Sequence, residues 1–158
     1  LHGREHSFPT RRSSDLPKII MRRAFNSSEE RAAVVAVARG LDKMGVEAGG
    51  TPGLLRPPGA IEVDHIVSLQ RMTEMDRFDL LEFRELRQLA VRRDNLVAMD
   101  AVANNSKSAS SWSRWKDAGR FYDEATVVAM KARDAALTEE IQAWIRLVTK
   151  GRKKVTTP

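Results

Sequence analysis

The sequence contains no cysteine among its 158 residues. A chain without cysteine has no disulfide framework, no thiolate zinc finger and no cysteine nucleophile, so these classes are excluded. Long apolar runs are also missing, because the longest uncharged apolar stretches, such as residues 32–38, are far shorter than a bilayer crossing requires. The sequence therefore does not predict an integral membrane protein.

Acidic residues are fewer than basic ones. The chain has 21 Asp and Glu against 27 Lys and Arg, which gives a formal net charge of +6. An excess of this size favours a polyanionic partner only weakly. The length suits one domain with its own hydrophobic core.

Histidine is scarce, and two of the three histidines lie in residues 1–16. This segment has no helical or strand period, and its stretch SFPTRRSSDL resembles the translation of a sequencing adapter. We therefore expect residues 1–16 to be a non-biological, adapter-derived segment, which leaves His65 as the one biological histidine and allows a longer parent protein. A disordered N-terminus or a degraded targeting peptide is the alternative.

The rest of the chain shows helical apolar spacing with two short β-rich runs. We expect helices at 27–44, within 72–92 as one or two short segments, at 100–108 with Asp100 as N-cap, and at 124–150, and we expect residues 111–115 to open another short helix. We expect strands at 61–67 and 95–99, and a loop at 49–59, where glycine and proline cluster. The predicted fold is α+β and mostly α.

The same pattern divides the chain into four further parts. These are an N-terminal helix and linker (17–59), a central unit (60–120), a long C-terminal helix (121–150) and a basic tail (151–158). The tail is interpreted as a frayed, solubilising end.

Two segments carry the chemistry, EVDHIVSL at 62–69 and RDNLVAMDAVANNSKS at 93–108. They place an Asp-His pair at a strand end, an Asn at the start of the next strand, and Asn-Asn-x-Lys on the following helix. Phosphodiester hydrolysis requires a base near neutral pH, oxygen ligands for a hard Lewis acid, a group that fixes the base, and a cation beside the phosphate. The two segments contain a candidate for each requirement.

This arrangement resembles the HNH endonuclease motif, which has the ββα-metal fold, and the likeness spans both segments. The resemblance implies that His65 is the general base and that Asp64 and Asn104 are the metal ligands. It implies that Asn95 hydrogen-bonds across the loop between the strands and so holds His65 in place. It also implies that Lys107 contacts the phosphate.

The resemblance further implies one divalent metal ion, Mg²⁺ or else Mn²⁺. Two protein oxygens, completed by water and phosphate, suit these ions better than zinc. Many members of the family carry two CxxC zinc knuckles, and a chain without cysteine has none, so no structural zinc is expected. Proline often stands where this chain has Ser68, a structural position. Because the chain has no zinc knuckles, packing alone must hold the motif together.

A narrower resemblance is to the HNH nuclease toxins at the C-termini of bacterial polymorphic, RHS-type toxins. It lies in the layout of the insert between the strands, the Asn-rich helix and the SWSRW segment. The residues at corresponding places are Met75, Phe78, Leu81, Leu89, Asn95, Asn104, Lys107, Trp112 and Trp115. This resemblance implies a domain that is secreted or delivered into a target cell's cytoplasm as part of a larger protein, with a cognate immunity protein as partner.

DNA is the expected substrate, with little sequence specificity because no base-reading module is visible, and RNA stays open. The candidate contacts to the nucleic-acid backbone are Arg92, Arg93, Arg114 and Lys116. Trp112 and Trp115 lie three residues apart on one predicted helical face, which favours core packing over base stacking. Glu62 lies on the same side of its strand as Asp64 and is a support for the metal ligands, an additional metal-binding group or an exposed carboxylate.

Two other functions stay open at this point. The first keeps the chemistry and makes the chain a stand-alone phage or mobile-element HNH endonuclease that acts in the cytoplasm. The second is a non-catalytic nucleic-acid-binding domain that keeps the fold. Metal-dependent cleavage that requires His65 separates the enzyme from the binding domain.

Overall fold

The computed structural model describes residues 16–29, 31–32, 53–55 and 59–153. In chain order the elements are α1 (Leu16–Asn26), β1 (Ile61–His65), α2 (Leu69–Thr73), a 3-10 turn (Phe78–Leu80), α3 (Phe83–Ala90), a second 3-10 turn (Arg93–Asn95), β2 (Leu96–Asp100), α4 (Ala101–Lys107), α5 (Ala118–Phe121) and α6 (Glu124–Val148). Within these ranges the fold is α+β and mostly helical, with a two-stranded antiparallel sheet. The predicted fold class is confirmed at this level.

The two strands pair antiparallel, with Val63 opposite Ala98. Both predicted strands are confirmed in place, and β2 begins and ends one residue later than predicted. β1 stops two residues short of the predicted 61–67. The reason is that Ser68 already caps α2, since its hydroxyl accepts a hydrogen bond from the Arg71 N–H (3.3 Å).

α4 follows β2 without a loop, because Asp100 both ends the strand and caps the helix. Its Oδ1 accepts hydrogen bonds from the N–H groups of Val102 (3.0 Å) and Ala103 (3.2 Å), which confirms the predicted N-cap. α4 packs on both strands, and Ala103 is fully buried there. The resulting strand–strand–helix unit brings the two chemistry-bearing segments together.

α1 is an element that the sequence pattern did not predict. Its first residue is Leu16, and Pro17 lies in its first turn, where a missing N–H leaves no intrahelical hydrogen bond unmade. α1 packs against α2 and α3, with Met21 fully buried. Most of the helix predicted at 27–44 lies outside the described residues, which include only 27–29 and 31–32 of this range.

Residues 111–115 do not open the predicted short helix, which begins only at Ala118, as α5. This segment forms consecutive turns, in which the Ser111 carbonyl accepts a hydrogen bond from the Trp115 N–H (2.9 Å). A tertiary contact decides the local shape, because the Trp112 N–H donates to the Asp134 carboxylate on α6 (2.8 Å). The insert between the strands agrees better with prediction and forms α2, a 3-10 turn and α3.

α6 contributes Leu137, Ile141 and Ile145 to the core, each with no exposed surface. It ends two residues before the predicted boundary. The rings of Trp112 and Trp115 are buried and meet edge to face with centroids 5.2 Å apart, which confirms that they pack in the core. None of the helices in the described ranges is both long and apolar enough to cross a membrane.

Candidate active site

Three of the predicted site residues, Asp64, His65 and Asn104, line one cleft of about 490 Å³. The C-terminal end of β1 supplies the first two, and α4 supplies Asn104. α1 also borders the cleft and contributes Phe25. The antiparallel pairing of the strands and the direct passage from β2 into α4 bring these residues to one place, although they are distant in sequence.

His65 is buried, with 4% of its surface exposed, and two contacts hold its ring. Its Nε2 lies 2.8 Å from the carbonyl oxygen of Ala90, and the ring of Phe25 packs on it with centroids 4.4 Å apart. A carbonyl only accepts hydrogen bonds, so Nε2 carries the hydrogen and Nδ1 keeps its lone pair. Nδ1 has no hydrogen-bond partner among the described residues.

Burial lowers the pKa of His65 below its ordinary value of 6.5. The hydrogen bond to the Ala90 carbonyl and the charge of Asp64 act in the opposite direction, and the charge of Lys107 lowers the pKa further. The ring is therefore neutral over more of the pH range than a solvent-exposed histidine is. Neutral imidazole is the form that can accept a proton.

Asn95 is completely buried and fastens the segment that follows His65. Its Oδ1 accepts a hydrogen bond from the Val67 N–H (2.7 Å), and its Nδ2 donates to the Val67 carbonyl (3.0 Å). Its backbone carbonyl also accepts from the Ile66 N–H (2.9 Å). Asn95 thus bonds across to the first strand's end, at the loop rather than at the His65 ring.

Lys107 occupies a different place from the one the resemblance implies. It has no exposed surface, and its ammonium donates to Asp64 Oδ2 (2.6 Å) and to the His65 carbonyl (3.2 Å). An ammonium with no exposed surface and these two buried acceptors does not reach a phosphate in the cleft. Lys107 instead fixes Asp64 and leaves its Oδ1 without a hydrogen-bond partner among the described residues.

Glu62 and Asn104 form a second pair at the cleft. The Asn104 amide Nδ2 donates to Glu62 Oε2 (2.7 Å), which determines which end of the amide is nitrogen. Asn104 Oδ1 is thereby left as an acceptor with no hydrogen-bond partner in the described part of the chain. Glu62 therefore holds Asn104 through a hydrogen bond, which is compatible with one of the three roles predicted for it.

The donor set suits a hard divalent cation. Asp64 and Asn104 each leave one oxygen available on the same cleft, and oxygen donors are what Mg²⁺ and Mn²⁺ prefer. Within the described ranges, no group of three or more His, Cys, Asp or Glu side chains could hold a metal ion. A metal here would take one carboxylate, one amide oxygen and water or phosphate.

The four predicted nucleic-acid contacts differ in their surroundings. Arg92 forms ion pairs with Asp94 (2.7 Å) and with Glu140 of α6 (2.9 Å). These ion pairs connect the turn before β2 to α6 and occupy the guanidinium that was predicted to contact phosphate. The other three, Arg93, Arg114 and Lys116, are exposed and have no ion pair with the described residues. Arg114 lines a second groove that shares Gln70, Ser108 and Ala109 with the His65 cleft.

Sequence reasoning did not identify Lys18, Arg22, Phe25 or the Ala90 carbonyl as parts of the site. The Lys18–Arg22 spacing of four residues would have placed both on one face of a helix, had the helix been predicted. The Ala90 contact had no sequence signal, because any residue supplies a carbonyl. Tertiary packing alone brings α1 and the end of α3 to His65.

Comparisons with known proteins do not assign a function to this chain. No family model, no curated protein and no solved structure matches this chain. The functional argument therefore depends on the chemistry of the cleft.

Proposed function

We propose that the chain is a divalent-metal-dependent HNH endonuclease with a ββα-metal core, which hydrolyses phosphodiester bonds in DNA. The observation that carries this proposal is the arrangement around His65. An oriented imidazole, a carboxylate oxygen and an amide oxygen line one cleft, and each is held by a partner that leaves its reactive atom unbonded. These are the groups that water activation and leaving-group stabilisation require.

His65 acts as the general base in this proposal. Its Nδ1 takes a proton from a water molecule while the water oxygen attacks phosphorus. The bond from phosphorus to the leaving sugar oxygen breaks, and that oxygen departs with the electron pair. Nε2 carries its hydrogen throughout and donates it in a hydrogen bond to the Ala90 carbonyl. This hydrogen bond stabilises the imidazolium that forms.

Asp64 and Asn104 would hold the Mg²⁺ or Mn²⁺ ion. When bound, the ion supplies Lewis acidity that stabilises negative charge on the leaving oxygen. Lys107 and Glu62 would position these two ligands, because each hydrogen-bonds one side-chain atom of its partner and leaves the partner's other atom, an oxygen, without a hydrogen bond to the described residues. Asn95 keeps the segment after His65 in register with the second strand.

The groove beside the cleft supports a nucleic-acid substrate. It continues from Gln70 and Ser108 to Arg114, an exposed cation without an ion pair in the described part of the chain. A strand that passes over His65 would meet Arg114 next, and a backbone contact of this kind positions a substrate without reading its sequence. RNA shares this backbone chemistry and remains the second substrate to test.

The toxin setting is proposed on the layout resemblance alone. In that setting the domain is the C-terminal part of a secreted bacterial polymorphic toxin, acts in the cytoplasm of a target cell and is neutralised by an immunity protein. The full gene and its neighbours test this directly: a long upstream region and an adjacent small immunity gene are expected. Their absence would favour a stand-alone phage or mobile-element endonuclease instead.

Nicking of supercoiled plasmid DNA tests the proposed activity. We expect conversion to open-circular or linear DNA in Mg²⁺ or Mn²⁺ and none in EDTA, because the ion is required at the leaving oxygen. Plasmid binding that weakens with salt, without cleavage in either metal, would support the non-catalytic nucleic-acid-binding domain and contradict the enzyme. A parallel reaction with structured RNA measures the preference between the two substrates.

A further inference from the structure

The buried position of Lys107 leaves the substrate phosphate without the cation that its motif position would provide. Phosphoryl transfer concentrates negative charge on phosphorus oxygens, so a cation on the cleft stabilises both binding and reaction. The Lys and Arg residues that line the His65 cleft in the described ranges are Lys18 and Arg22, and both belong to α1. α1 is thus a candidate source of the missing charge.

α1 is fixed against the candidate active site by several contacts. Met21 is fully buried, and the helix packs along α3 and α2. Phe25, one turn beyond Arg22, places its ring on the imidazole of His65 with centroids 4.4 Å apart. These contacts fix the position of the helix, so its cleft-facing cations have a defined place relative to the base.

The two cations have different surroundings. Lys18 donates a hydrogen bond to the side-chain oxygen of Gln70, which also lines the cleft. Arg22 is exposed and has no hydrogen bond or ion pair with any described residue. A guanidinium without a protein partner presents all its donors to a ligand and matches the geometry of a phosphate.

We infer that Arg22 binds a backbone phosphate of the DNA strand that occupies the His65 cleft, with Lys18 as a neighbouring contact. This inference rests on the proposed function for the identity of the ligand. It assigns α1 to the substrate-binding surface and gives the phosphate contact to Arg22 in place of Lys107. The contact is to the backbone, so it is independent of base sequence.

Arg23 provides a matched control for Arg22. The two arginines are neighbours on α1, both are exposed, and Arg23 is not among the residues lining the cleft. Replacing either one with glutamine removes the same charge from the same helix. A difference in DNA binding between the two variants therefore reflects the position of the arginine on the helix and not the net charge of the protein.

Binding of a short fluorescein-labelled DNA duplex in EDTA measures the contact without cleavage. We expect Arg22→Gln to weaken binding about tenfold, as for loss of one charge-assisted hydrogen bond, and to lower the slope of log K against log salt by about one. Arg23→Gln should change the affinity and the salt dependence much less. Arg22→Lys should bind more tightly than Arg22→Gln, because it keeps the positive charge. In Mg²⁺, the nicking rate should follow the same order.

Equal binding and equal nicking by the Arg22→Gln and Arg23→Gln proteins would overturn the inference while leaving the nuclease proposal intact. The converse failure is also distinguishable. If the wild-type chain does not cleave but Arg22→Gln still loses affinity relative to Arg23→Gln, the phosphate contact stands and the nuclease proposal fails. Matching thermal unfolding midpoints of the two variants establish that both are folded.

Discussion

Lys107 has the same sequence position that the motif implies and a different role. A lysine on a polar helix is most often a solvated charge, yet here the ammonium is buried against Asp64 and the His65 carbonyl. Burial of this kind is tolerated only because both charges are paired and hydrogen-bonded. The residue therefore stabilises Asp64, the proposed metal ligand, and the end of the strand at once.

Removing the Lys107 charge should destabilise the fold. In Lys107→Met, Asp64 keeps a largely buried charge without its partner, and we expect a loss of about 3 kcal/mol in the free energy of unfolding by urea. The exposed Lys116→Met should lose much less. Adding Asp64→Asn to Lys107→Met should restore part of the loss, because the unpaired charge is then gone. Unchanged stability with weakened DNA binding would instead support the phosphate contact.

Asn95 is a second residue whose role is structural and local. Asn95→Ala leaves both the N–H and the carbonyl of Val67 without the partners they have in the buried loop. We expect a loss of about 2–4 kcal/mol in unfolding free energy, measured by urea denaturation. Asn105→Ala, at an exposed position on α4, is the matched control and should be neutral or slightly stabilising. Equal stability of the two variants would contradict this role for Asn95.

At the scale of elements, the sequence predicted those helix and strand boundaries that depend on neighbouring residues. The Asp100 cap placed the start of α4, and β-rich runs placed both strands, because these features depend on neighbours in the sequence. The turns at 111–115 could not be predicted this way, since a hydrogen bond from Trp112 to Asp134 on a distant helix decides their shape. Tertiary contacts override propensity at such places.

The candidate site divides in the same way. The resemblance to the HNH motif pointed to Asp64, His65, Asn95 and Asn104, and the structure brings Asp64, His65 and Asn104 to one cleft. The burial of Lys107 could not be predicted, because spacing does not reveal which side chains are buried, and Arg22 was missed because α1 reaches the cleft only through packing on α2 and α3. Residue types in a motif are visible in a sequence, whereas the surface to which each side chain belongs is decided by the whole fold.

α6 offers a direct comparison between its buried and exposed faces. Leu137 has no exposed surface and Leu147 is 70% exposed on the same helix. We expect Leu137→Ala to lower the free energy of unfolding by about 2–5 kcal/mol through lost burial and the cavity left behind. Leu147→Ala should change it by less than about 0.5 kcal/mol. Chemical denaturation of both variants measures the difference, and equal losses would place the core elsewhere.

The C-terminal end is tied to α3 through Arg152 and Glu85, whose side chains meet at 2.6 Å. The hydrogen bond from Arg152 lowers the pKa of the Glu85 carboxyl below its ordinary value of 4.5. The folded chain therefore binds the Glu85 proton less readily than the unfolded chain does. The contribution of this pair is fully present above the ordinary value and is lost as pH falls through the folded value.

Glu85→Gln tests this tie by its pH dependence. The difference in unfolding free energy between wild type and Glu85→Gln should be constant near neutral pH and shrink as the pH falls below 4.5. The reason is that protonated Glu85 is then uncharged, like the glutamine that replaces it. Urea unfolding at several pH values measures it. Glu139→Gln, at an exposed position on α6, should show a smaller pH-dependent difference. A difference for Glu85→Gln that stays constant with pH would contradict the assigned pair.

At the scale of the molecule, the net positive charge is less informative than the placement of individual cations. Several arginines are used inside the fold: Arg71 pairs with Asp134 (2.6 Å), Arg92 with Asp94 and Glu140, and Arg152 with Glu85. Near the cleft, Lys18, Arg22 and Arg114 have no ion pair with the described residues, and these are the cations that fit a polyanion. Charge placement, rather than charge excess, is what supports a nucleic-acid substrate.

The central claim is that His65 activates water for phosphodiester hydrolysis, and the initial nicking rate of His65→Ala against wild type tests it most directly. With both proteins shown to be folded by circular dichroism, and in Mg²⁺ at neutral pH, we expect the substitution to slow nicking by at least about a hundredfold. Leu147→Ala should nick at the wild-type rate. A His65→Ala protein that nicks plasmid as fast as wild type would contradict the account.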